Sequence, residues 1–297
     1  MKVTPENLMA VARDVDNTIL GPEDILLTDQ VAVVTGGGGG IGQGIALGLA
    51  KFGADVVVLD SEPTRCAATQ QAIERLGRRA VGVPCNVMDT AALTGAIDQA
   101  AADFGRLDIL VNNAGGSRPG PLLTQPEASV RRHVEINLLS MVFATQAAAK
   151  HMIEGGRGGS IVNVTSIEGF RAAPNFAVYA ACKAGMVNFS RTMALELSEY
   201  GIRTNAIAPD HTISPGTRGN RNGPVDPASW ADSDLDANRR LIPLGREGVA
   251  DECASVAVWL CSEMSQYVTG ATINVDGGTW ASSGWLRQAE GGWILNP

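Results

Sequence analysis

Apolar and β-branched residues recur along this chain in seven short runs, each with the length of a buried strand. Between them lie stretches in which apolar positions repeat every three or four residues, as on one face of a helix. The strand pattern covers 31–35, 55–60, 80–84, 107–111, 160–165, 202–208 and 271–275, and the helix pattern covers about 41–53, 63–77, 89–104, 126–153, 176–200 and 248–262. This alternation predicts an α/β fold with a seven-stranded parallel sheet and helices on both of its faces.

One segment interrupts the alternation, from residue 211 to residue 240. It is rich in Gly, Pro, Asn, Asp and Arg, and it contains Trp230. A structureless insertion of this length in a compact domain is usually functional. We therefore expect 211–240 to form a lid over a bound substrate.

The two ends of the chain lie outside the predicted domain, which is expected to span 30–279. Residues 1–29 form an N-terminal extension, and 280–297 form a C-terminal tail. The tail carries three tryptophans, Trp280, Trp285 and Trp293. Their apolar surface needs to be covered by their own domain or by a neighbouring subunit. A hydrophobic content of 45% supplies one sizeable core, so a single domain is expected.

The charge balance narrows the class of partner. The chain carries 23 Lys and Arg against 31 Asp and Glu, a formal net charge of −8. Because the sequence offers no basic stripe, nucleic acid and other polyanions are not expected as partners. A small-molecule substrate is the simpler expectation.

The cysteines and the apolar runs bear on the compartment. Five scattered cysteines form no Cys-x-x-Cys pair and no spacing typical of zinc sites, so we interpret them as reduced thiols and expect no metal site. No run is long enough to span a membrane, and 1–29 lack the charged start and apolar centre of a signal peptide. The expected location is the cytoplasm.

Five consecutive glycines, 36–40, join the first predicted strand directly to the first predicted helix. The helix N-terminus there presents unpaired N–H groups and a positive dipole end, and backbone without Cβ atoms lets a pyrophosphate approach. The pattern is typical of a dinucleotide site, although glycine runs also occur in flexible loops. Two registers fit the run: Gly37, Gly39 and Gly42 match G-x-G-x-x-G, and Gly36, Gly40 and Gly42 match G-x-x-x-G-x-G.

Asp60 ends the second predicted strand about 20 residues beyond the glycine turn, where a carboxylate can bind the adenosine ribose hydroxyls. The same carboxylate would repel a 2′-phosphate. The next residue is Ser61, and the glycine run holds no Arg or Lys, so nothing is expected to neutralise that phosphate. The sequence therefore favours NAD over NADP, the alternative being a solvated aspartate at a strand end.

A turn of small residues, Asn112-Asn113-Ala114-Gly115, follows the fourth predicted strand. It lies at the carboxyl edge, where open α/β sheets bind ligands, and its small side chains would let a ring lie close to the backbone. The asparagines also have a purely structural interpretation, since their amides can bridge neighbouring strands.

Ser166 follows the fifth predicted strand, and Tyr179 and Lys183 lie beyond it in a helical pattern. Four residues separate the tyrosine from the lysine, so both lie on one helix face. An adjacent ammonium stabilises a phenolate and lowers its pKa, which would make the tyrosine a usable proton carrier. Ser166 could then hydrogen-bond the reacting oxygen. Alone, a tyrosine and a lysine at this spacing are common on ordinary helices.

Together these motifs resemble the short-chain dehydrogenase/reductase family. The resemblance rests on Thr35-Gly36-x-x-x-Gly40-Ile41-Gly42, Asn112-Asn113-Ala114-Gly115, Ser166 and Tyr179-x-x-x-Lys183, and it covers about residues 28–279. It implies a single-domain Rossmann fold and hydride transfer between a nicotinamide cofactor and an alcohol or carbonyl carbon. It also selects the glycine register of Gly36, Gly40 and Gly42.

The resemblance implies roles for individual residues. Tyr179 corresponds to the family's base, Lys183 would bind the nicotinamide ribose and lower the tyrosine pKa, and Ser166 would orient the substrate oxygen. Asn137 matches the helix asparagine whose main-chain carbonyl holds a water of the proton relay. Residues 274–278 resemble members that form homotetramers. The implied cofactor contacts are Gly36, Gly39, Gly40, Ile41, Asp60, Asn86, Val87, Asn113, Ala114, Gly115, Tyr179, Lys183, Pro209, Thr212 and Ser214.

Two positions depart from the family pattern. Asn86 replaces the aspartate that contacts adenine, and an amide can still donate and accept there. Asp210 stands where the family usually has glycine after Pro209, so it is expected to alter the turn and to put a charge near the nicotinamide. Thr212 and Ser214 can still offer backbone and hydroxyl contacts to the carboxamide.

The expected reaction is NAD-dependent hydride transfer to or from a secondary alcohol or ketone. The alternatives are a 3-oxoacyl-thioester reductase of the fatty-acid type, and a nucleotide-binding regulatory protein of the same family without turnover. Asp60 and the net charge speak against the thioester reductase. Candidate pocket residues, each of which could equally be packing or surface, are Gly116, Ser117, Glu168, Phe170, Asn175 and His211, with Arg118 and Arg171 as substrate anchors.

Overall fold

The computed structural model describes residues 21–214 and 232–295. The expectations for 1–20 and for 215–231, including Trp230, lie outside the described residues. Seven parallel strands form one sheet in the order β3-β2-β1-β4-β5-β6-β7, which confirms the predicted α/β fold. The strands are β1 (Val31–Thr35), β2 (Asp55–Asp60), β3 (Ala80–Pro84), β4 (Ile109–Asn112), β5 (Gly159–Val164), β6 (Ile202–Pro209) and β7 (Thr272–Val275).

Helices cover both faces of this sheet. Alternate strand residues enter two separate apolar clusters, Ala32 and Val34 on one face and Val33 on the other, because successive side chains of a strand point in opposite directions. The α-helices that follow the strands are α1 (Gly40–Lys51), α2 (Pro63–Glu74), α3 (Thr90–Phe104), α4 (Glu127–Val134), α5 (Ser140–Gly155), α6 (Ala177–Glu196), α7 (Asp232–Leu241) and α8 (Ala250–Cys261). Helices α1 and α8 pack in the first cluster, and α3 and α5 in the second.

The long helix predicted over 126–153 is interrupted. A π-helical turn, Glu135–Leu139, separates α4 from α5, and the Ser140 N–H bonds to the Glu135 carbonyl five residues back. Such turns occur frequently at functional sites, and a pattern of apolar positions does not reveal them. The helix predicted over 176–200 also ends early, at Glu196, with a short 3₁₀ turn after it.

The prediction that 211–240 is structureless is wrong for the end of that segment, because α7 (Asp232–Leu241) forms there. After β7 a short helix, α9 (Thr279–Ser282), leads to a hairpin of β8 (Leu286–Arg287) and β9 (Trp293–Ile294). The tail is therefore folded on the domain. It covers its tryptophans only partly, since Trp280, Trp285 and Trp293 remain 40–45% exposed.

Candidate active site

The glycine turn between β1 and α1 has the conformation that the second register requires. Gly36 and Gly40 have φ angles of +63° and +56°, a region that favours glycine. A Cβ on Gly42 would overlap the Gly36 carbonyl oxygen and the Asn113 side chain. Gly37 and Gly39 show neither constraint, so the backbone supports the register of Gly36, Gly40 and Gly42.

Asn113 ties the glycine turn to the end of β4. Its amide nitrogen donates to the carbonyls of Thr35 and Gly36, at 3.1 Å each, and the Thr35 hydroxyl accepts the N–H groups of Asn113 and Ala114. Asn112 has the structural role, because its amide bridges Thr145 on α5 and Asn163 on β5. The two turns therefore meet at one edge of the sheet.

Asp60, the last residue of β2, lies against the glycine turn. Its carboxylate accepts the Gly38 N–H at 3.1 Å and the Glu62 N–H at 3.0 Å. A Cβ on Gly38 would lie 2.8 Å from the Asp60 carboxyl carbon, so this position also needs glycine. Further along the same edge Val87 is buried, and Asn86 is exposed with its side chain bonded to the Met88 N–H.

A basic residue missed by the sequence reasoning lies beside Asp60. Arg65, in the first turn of α2, extends across the glycine run. Its Cβ lies 2.7 Å from the place that a Gly38 Cβ would take, and its Nη1 lies 3.8 Å from the corresponding place at Gly39. The premise that no basic side chain is available at this end is therefore wrong, because α2 folds back over the turn.

Ser166, Tyr179 and Lys183 meet at the carboxyl end of β5. The Ser166 hydroxyl lies close enough to the Tyr179 phenol to act on its pKa, and the Lys183 ammonium lies 5.6 Å from the centre of the tyrosine ring. Lys183 Nζ donates to the Val164 carbonyl at 2.8 Å, and the Thr165 hydroxyl donates to the Lys183 carbonyl at 2.8 Å. These bonds fix α6 against the strand and bring the three predicted side chains together.

The expected lowering of the tyrosine pKa does not occur in this structure. Burial raises the pKa of Tyr179 to about 12, against the opposing effect of the Ser166 hydrogen bond and with help from the carboxylates of Glu168 and Asp210. Burial also lowers the pKa of Lys183 to about 8. The i, i+4 spacing predicts that the Lys183 ammonium lies near Tyr179. It does not predict that burial removes water from both the ammonium and the phenol.

Asn137 lies on the π-helical turn and reaches the loop after β4. Its side chain accepts the Gly116 N–H and donates to the Gly116 carbonyl, at 2.9 Å each. A Cβ on Gly115 would lie 2.8 Å from Asn137 Oδ1 and 3.6 Å from Lys183 Nζ, so these predicted residues converge. One turn earlier the buried His133, which sequence reasoning missed, accepts the Arg118 N–H through Nε2 at 3.1 Å.

The segment after β6 closes over the glycine turn. Ser214 Cβ lies 3.2 Å from the position of a Gly40 Cβ, and Thr212 is buried in a parallel bridge with Gly248. In this turn the left-handed conformation falls on His211, with φ +34°, and the effect of Asp210 on the turn stays a prediction. Gly36, Gly40 and Ser214 thus lie around one space at the N-terminus of α1.

A group of charged side chains lies close enough to Tyr179 to act on its pKa. Arg171 Nη2 lies 2.8 Å from Glu168 Oε1 and 3.4 Å from Asp210 Oδ2, and His211 Nε2 lies 3.4 Å from the same Asp210 oxygen. Phe170 packs against Trp280 with ring centres 5.9 Å apart. The pairing of Arg171 with Asp210 joins residues 39 apart in sequence, and no local pattern predicts it.

The glycine cradle, the free helix N-terminus and Asp60 fit a dinucleotide, since added Cβ atoms would fill the space next to the backbone. Among residues 21–214 and 232–295, no group of three or more His, Cys, Asp or Glu side chains could hold a metal ion. The helices in the described part of the chain include none that is both long and apolar enough to cross a bilayer.

Comparisons with known proteins agree with this geometry. A family model described as "Enoyl-(Acyl carrier protein) reductase" matches residues 36–279. The 2-dehydro-3-deoxy-D-gluconate 5-dehydrogenase of Escherichia coli (strain K12) is 38% identical over 253 residues, which are 85% of this chain and 96% of the relative. The D-threitol dehydrogenase of Mycolicibacterium smegmatis is 36% identical over 257 residues, which are 86% of this chain and 94% of the relative.

A solved structure has the same fold. The gluconate 5-dehydrogenase from Burkholderia cenocepacia J2315, in complex with NADP and tartrate, aligns with a TM-score of 0.79 at 32% identity and covers 87% of this chain and 98% of its own. Both the sequence match and the fold extend over most of each chain. The chain therefore belongs to the short-chain dehydrogenase/reductase family of nicotinamide-dependent oxidoreductases that act on alcohols and ketones.

Proposed function

We propose that Tyr179 accepts the hydroxyl proton when a secondary alcohol is oxidised and donates a proton to the carbonyl oxygen when the corresponding ketone is reduced, while Ser166 holds the reacting oxygen. The observation that carries this is the meeting of Ser166, Tyr179 and Lys183 at the carboxyl end of β5, with Lys183 Nζ 5.6 Å from the centre of the tyrosine ring on the same face of α6. In oxidation the phenolate accepts the hydroxyl proton, and in reduction the phenol returns it. The nicotinamide, when bound, supplies the hydride acceptor or donor.

Lys183 and Asn137 support this exchange. We assign to Lys183 the nicotinamide ribose and a positive charge beside the phenolate, because its Nζ lies 5.6 Å from the centre of the tyrosine ring and 3.6 Å from the place of a Cβ on Gly115. Asn137 positions the loop after β4 through Gly116. Gly36, Gly39, Gly40 and Ile41 would hold the pyrophosphate, and the segment from Pro209 to Ser214 would hold the carboxamide end.

The experiment is a screen of initial rates, read from reduced nicotinamide at about 340 nm. Secondary alcohols and ketones are offered with NAD or NADP in the matching redox state, together with a 3-oxoacyl thioester. Oxidation of an alcohol or reduction of a simple ketone supports the proposal. Exclusive reduction of the thioester, or tight cofactor binding without turnover of any compound, would contradict it.

NAD is the proposed preferred cofactor. The buried Asp60 carboxylate would accept the adenosine ribose hydroxyls and repel a 2′-phosphate. Arg65 moderates this preference, because its guanidinium lies beside Gly39 in the same glycine turn, from where it could pair with a 2′-phosphate. The protein is therefore expected to use NADP as well, but with lower kcat/KM.

Replacing Arg65 by alanine tests this division of roles. We expect kcat/KM with NADP to fall by about tenfold or more, since a hydrogen bond to a charged group contributes ~1.5–3 kcal/mol, while kcat/KM with NAD changes little. Arg75→Ala, at the exposed end of α2, is the matched control and should change neither. An equal loss with both cofactors would assign Arg65 a purely structural role.

We further propose that the protein is a cytoplasmic homotetramer with a domain at 30–279. All five cysteines are unpaired and buried, which suits a reducing compartment. Half-exposed tryptophans in the tail and the fully exposed Tyr267 offer apolar area that a partner subunit could cover. Light scattering should give about four times the chain mass of 30.9 kDa, and a monomer would contradict the assembly.

A further inference from the structure

Three charged side chains form a compact group next to the Ser166–Tyr179 pair, and we name Glu168, Arg171 and Asp210 the carboxylate–guanidinium cluster. Glu168 lies two residues after Ser166 and donates its own N–H to the Ser166 hydroxyl at 3.2 Å. Asp210 directly follows β6, and its N–H bonds to the Val275 carbonyl at 3.3 Å. Backbone bonds from two strand ends therefore place the cluster beside the reacting oxygen.

The cluster is within electrostatic reach of the proton-carrying group. Both carboxylates act to raise the pKa of Tyr179. The Asp210 side chain is only 11% exposed and that of Glu168 only 21%, so water screens them weakly. Because Glu168 is also bonded through its N–H to the Ser166 hydroxyl, a substrate whose hydroxyl reaches Ser166 and Tyr179 is expected to approach these carboxylates.

The charge balance of the cluster is negative. One guanidinium nitrogen of Arg171 serves both carboxylates, at 2.8 Å to Glu168 and 3.4 Å to Asp210. Each carboxylate can accept about four hydrogen bonds, so lone pairs remain after these contacts and the one with His211. The cluster thus offers acceptors for hydroxyl groups, and its net negative charge disfavours an anionic substrate.

We propose that the carboxylate–guanidinium cluster selects an uncharged polyhydroxylated substrate by accepting hydrogen bonds from the hydroxyls next to the reacting one. The proposal rests on the proposed function, because it assumes that the substrate reacts at Tyr179. A sugar acid would bring a further carboxylate against Glu168 and Asp210, and like charges in a poorly hydrated site repel. An apolar alcohol would displace water from the carboxylates of the cluster without forming hydrogen bonds in its place, which costs free energy.

Matched pairs of substrates test the selection. Threitol, xylitol and glucitol are compared as hydride donors with threonate, xylonate and gluconate, and cyclohexanol serves as the apolar reference. We expect at least one polyol to exceed its matched acid and cyclohexanol by at least ~10-fold in kcat/KM, because mismatched charge at a buried site costs several kcal/mol. A preference for the acids or for cyclohexanol would overturn the inference and leave the proposed function intact.

Asp210→Asn tests the cluster itself, with Glu168→Gln as a second variant should the first fail to fold. We expect kcat/KM for the preferred polyol to fall by about tenfold and its advantage over the matched acid to shrink. Removing a negative charge also favours the phenolate, so the pH profile of oxidation should move to lower pH. The groups facing Tyr179 in that profile are Ser166, Lys183, Glu168 and Asp210.

Asp103→Asn, on exposed α3 surface, is the control and should leave rates and pH profile unchanged. Unaltered polyol selectivity in folded Asp210→Asn and Glu168→Gln proteins would overturn the role of the cluster. Absence of turnover with every alcohol and ketone would overturn the proposed function and this inference together. Retention of cyclohexanol oxidation without polyol oxidation would overturn this inference alone.

Discussion

Tyr179→Phe is expected to lower kcat/KM for alcohol oxidation by about 10²–10⁴-fold, the usual contribution of general acid–base catalysis. Phenylalanine keeps the ring that packs against Phe176, but it removes the hydroxyl that would exchange the proton. The Kd of reduced nicotinamide, measured by fluorescence, should stay within about threefold, because the cradle at Gly36 and Gly40 is untouched. Loss of rate without loss of cofactor binding separates a chemical role from a structural one.

Tyr267 offers the matched control, since its side chain is fully exposed and it is not among the residues assigned to the site. Tyr267→Phe should keep the wild-type rate. If Tyr179→Phe also kept it, the proton would have to pass through another group and the assignment of Tyr179 would be wrong.

The pH dependence of the same reaction follows from the state of Tyr179. Since burial raises the pKa of its phenol to about 12, the phenolate needed for oxidation is scarce at neutral pH and increases as pH rises. We therefore expect kcat/KM for oxidation to increase from pH 6 to about pH 8 with a slope of about one in a logarithmic plot. Above that pH the increase should become less steep, because Lys183, whose pKa burial lowers to about 8, loses the positive charge that stabilises the phenolate. Reduction, which uses the protonated phenol, should not increase over this range.

The second large effect is expected at Gly42, where an added methyl group has no space. A Cβ there would overlap the Gly36 carbonyl and the Asn113 amide, which itself holds the glycine turn. We expect Gly42→Ala to lower the free energy of unfolding by about 3 kcal/mol or more, as overpacking of backbone does. Cofactor binding should weaken with it. Urea unfolding and fluorescence titration measure the two effects.

Gly95 is the matched control for this substitution. It lies inside α3, and a Cβ built on it meets no atom within 4 Å. Alanine is favoured over glycine in a helix interior by about 1 kcal/mol, so Gly95→Ala should stabilise the protein slightly. Wild-type stability in Gly42→Ala would contradict the tight approach between the glycine turn and β4.

The sheet could be predicted well because its signal is local. Buried parallel strands are continuous apolar runs, and β1, β2 and β3 begin and end where the pattern of 31–35, 55–60 and 80–84 places them. The positions of Ser166 and Lys183 were also predictable, since Ser166 comes two residues after β5 and Lys183 lies one helical turn from Tyr179. Strand order and the meeting of these residues then follow from the rules for parallel sheets.

What could not be predicted depends on tertiary contacts. Arg65 reaches the glycine turn only because α2 packs back over it, and the pairing of Arg171 with Asp210 requires two separate strand ends to converge. The raised pKa of Tyr179 depends on burial, which spacing along a helix does not report. Helix α7 forms within a segment whose glycines and prolines are concentrated before residue 232.

The most direct test of the central claim follows the hydride itself. The protein is incubated with NAD and a secondary alcohol carrying deuterium on the carbinol carbon, and the reduced cofactor is analysed by mass spectrometry. Direct transfer predicts that each reduced nicotinamide carries a single deuterium from the alcohol. Reduced cofactor without deuterium, or bound cofactor that is never reduced, would contradict the account.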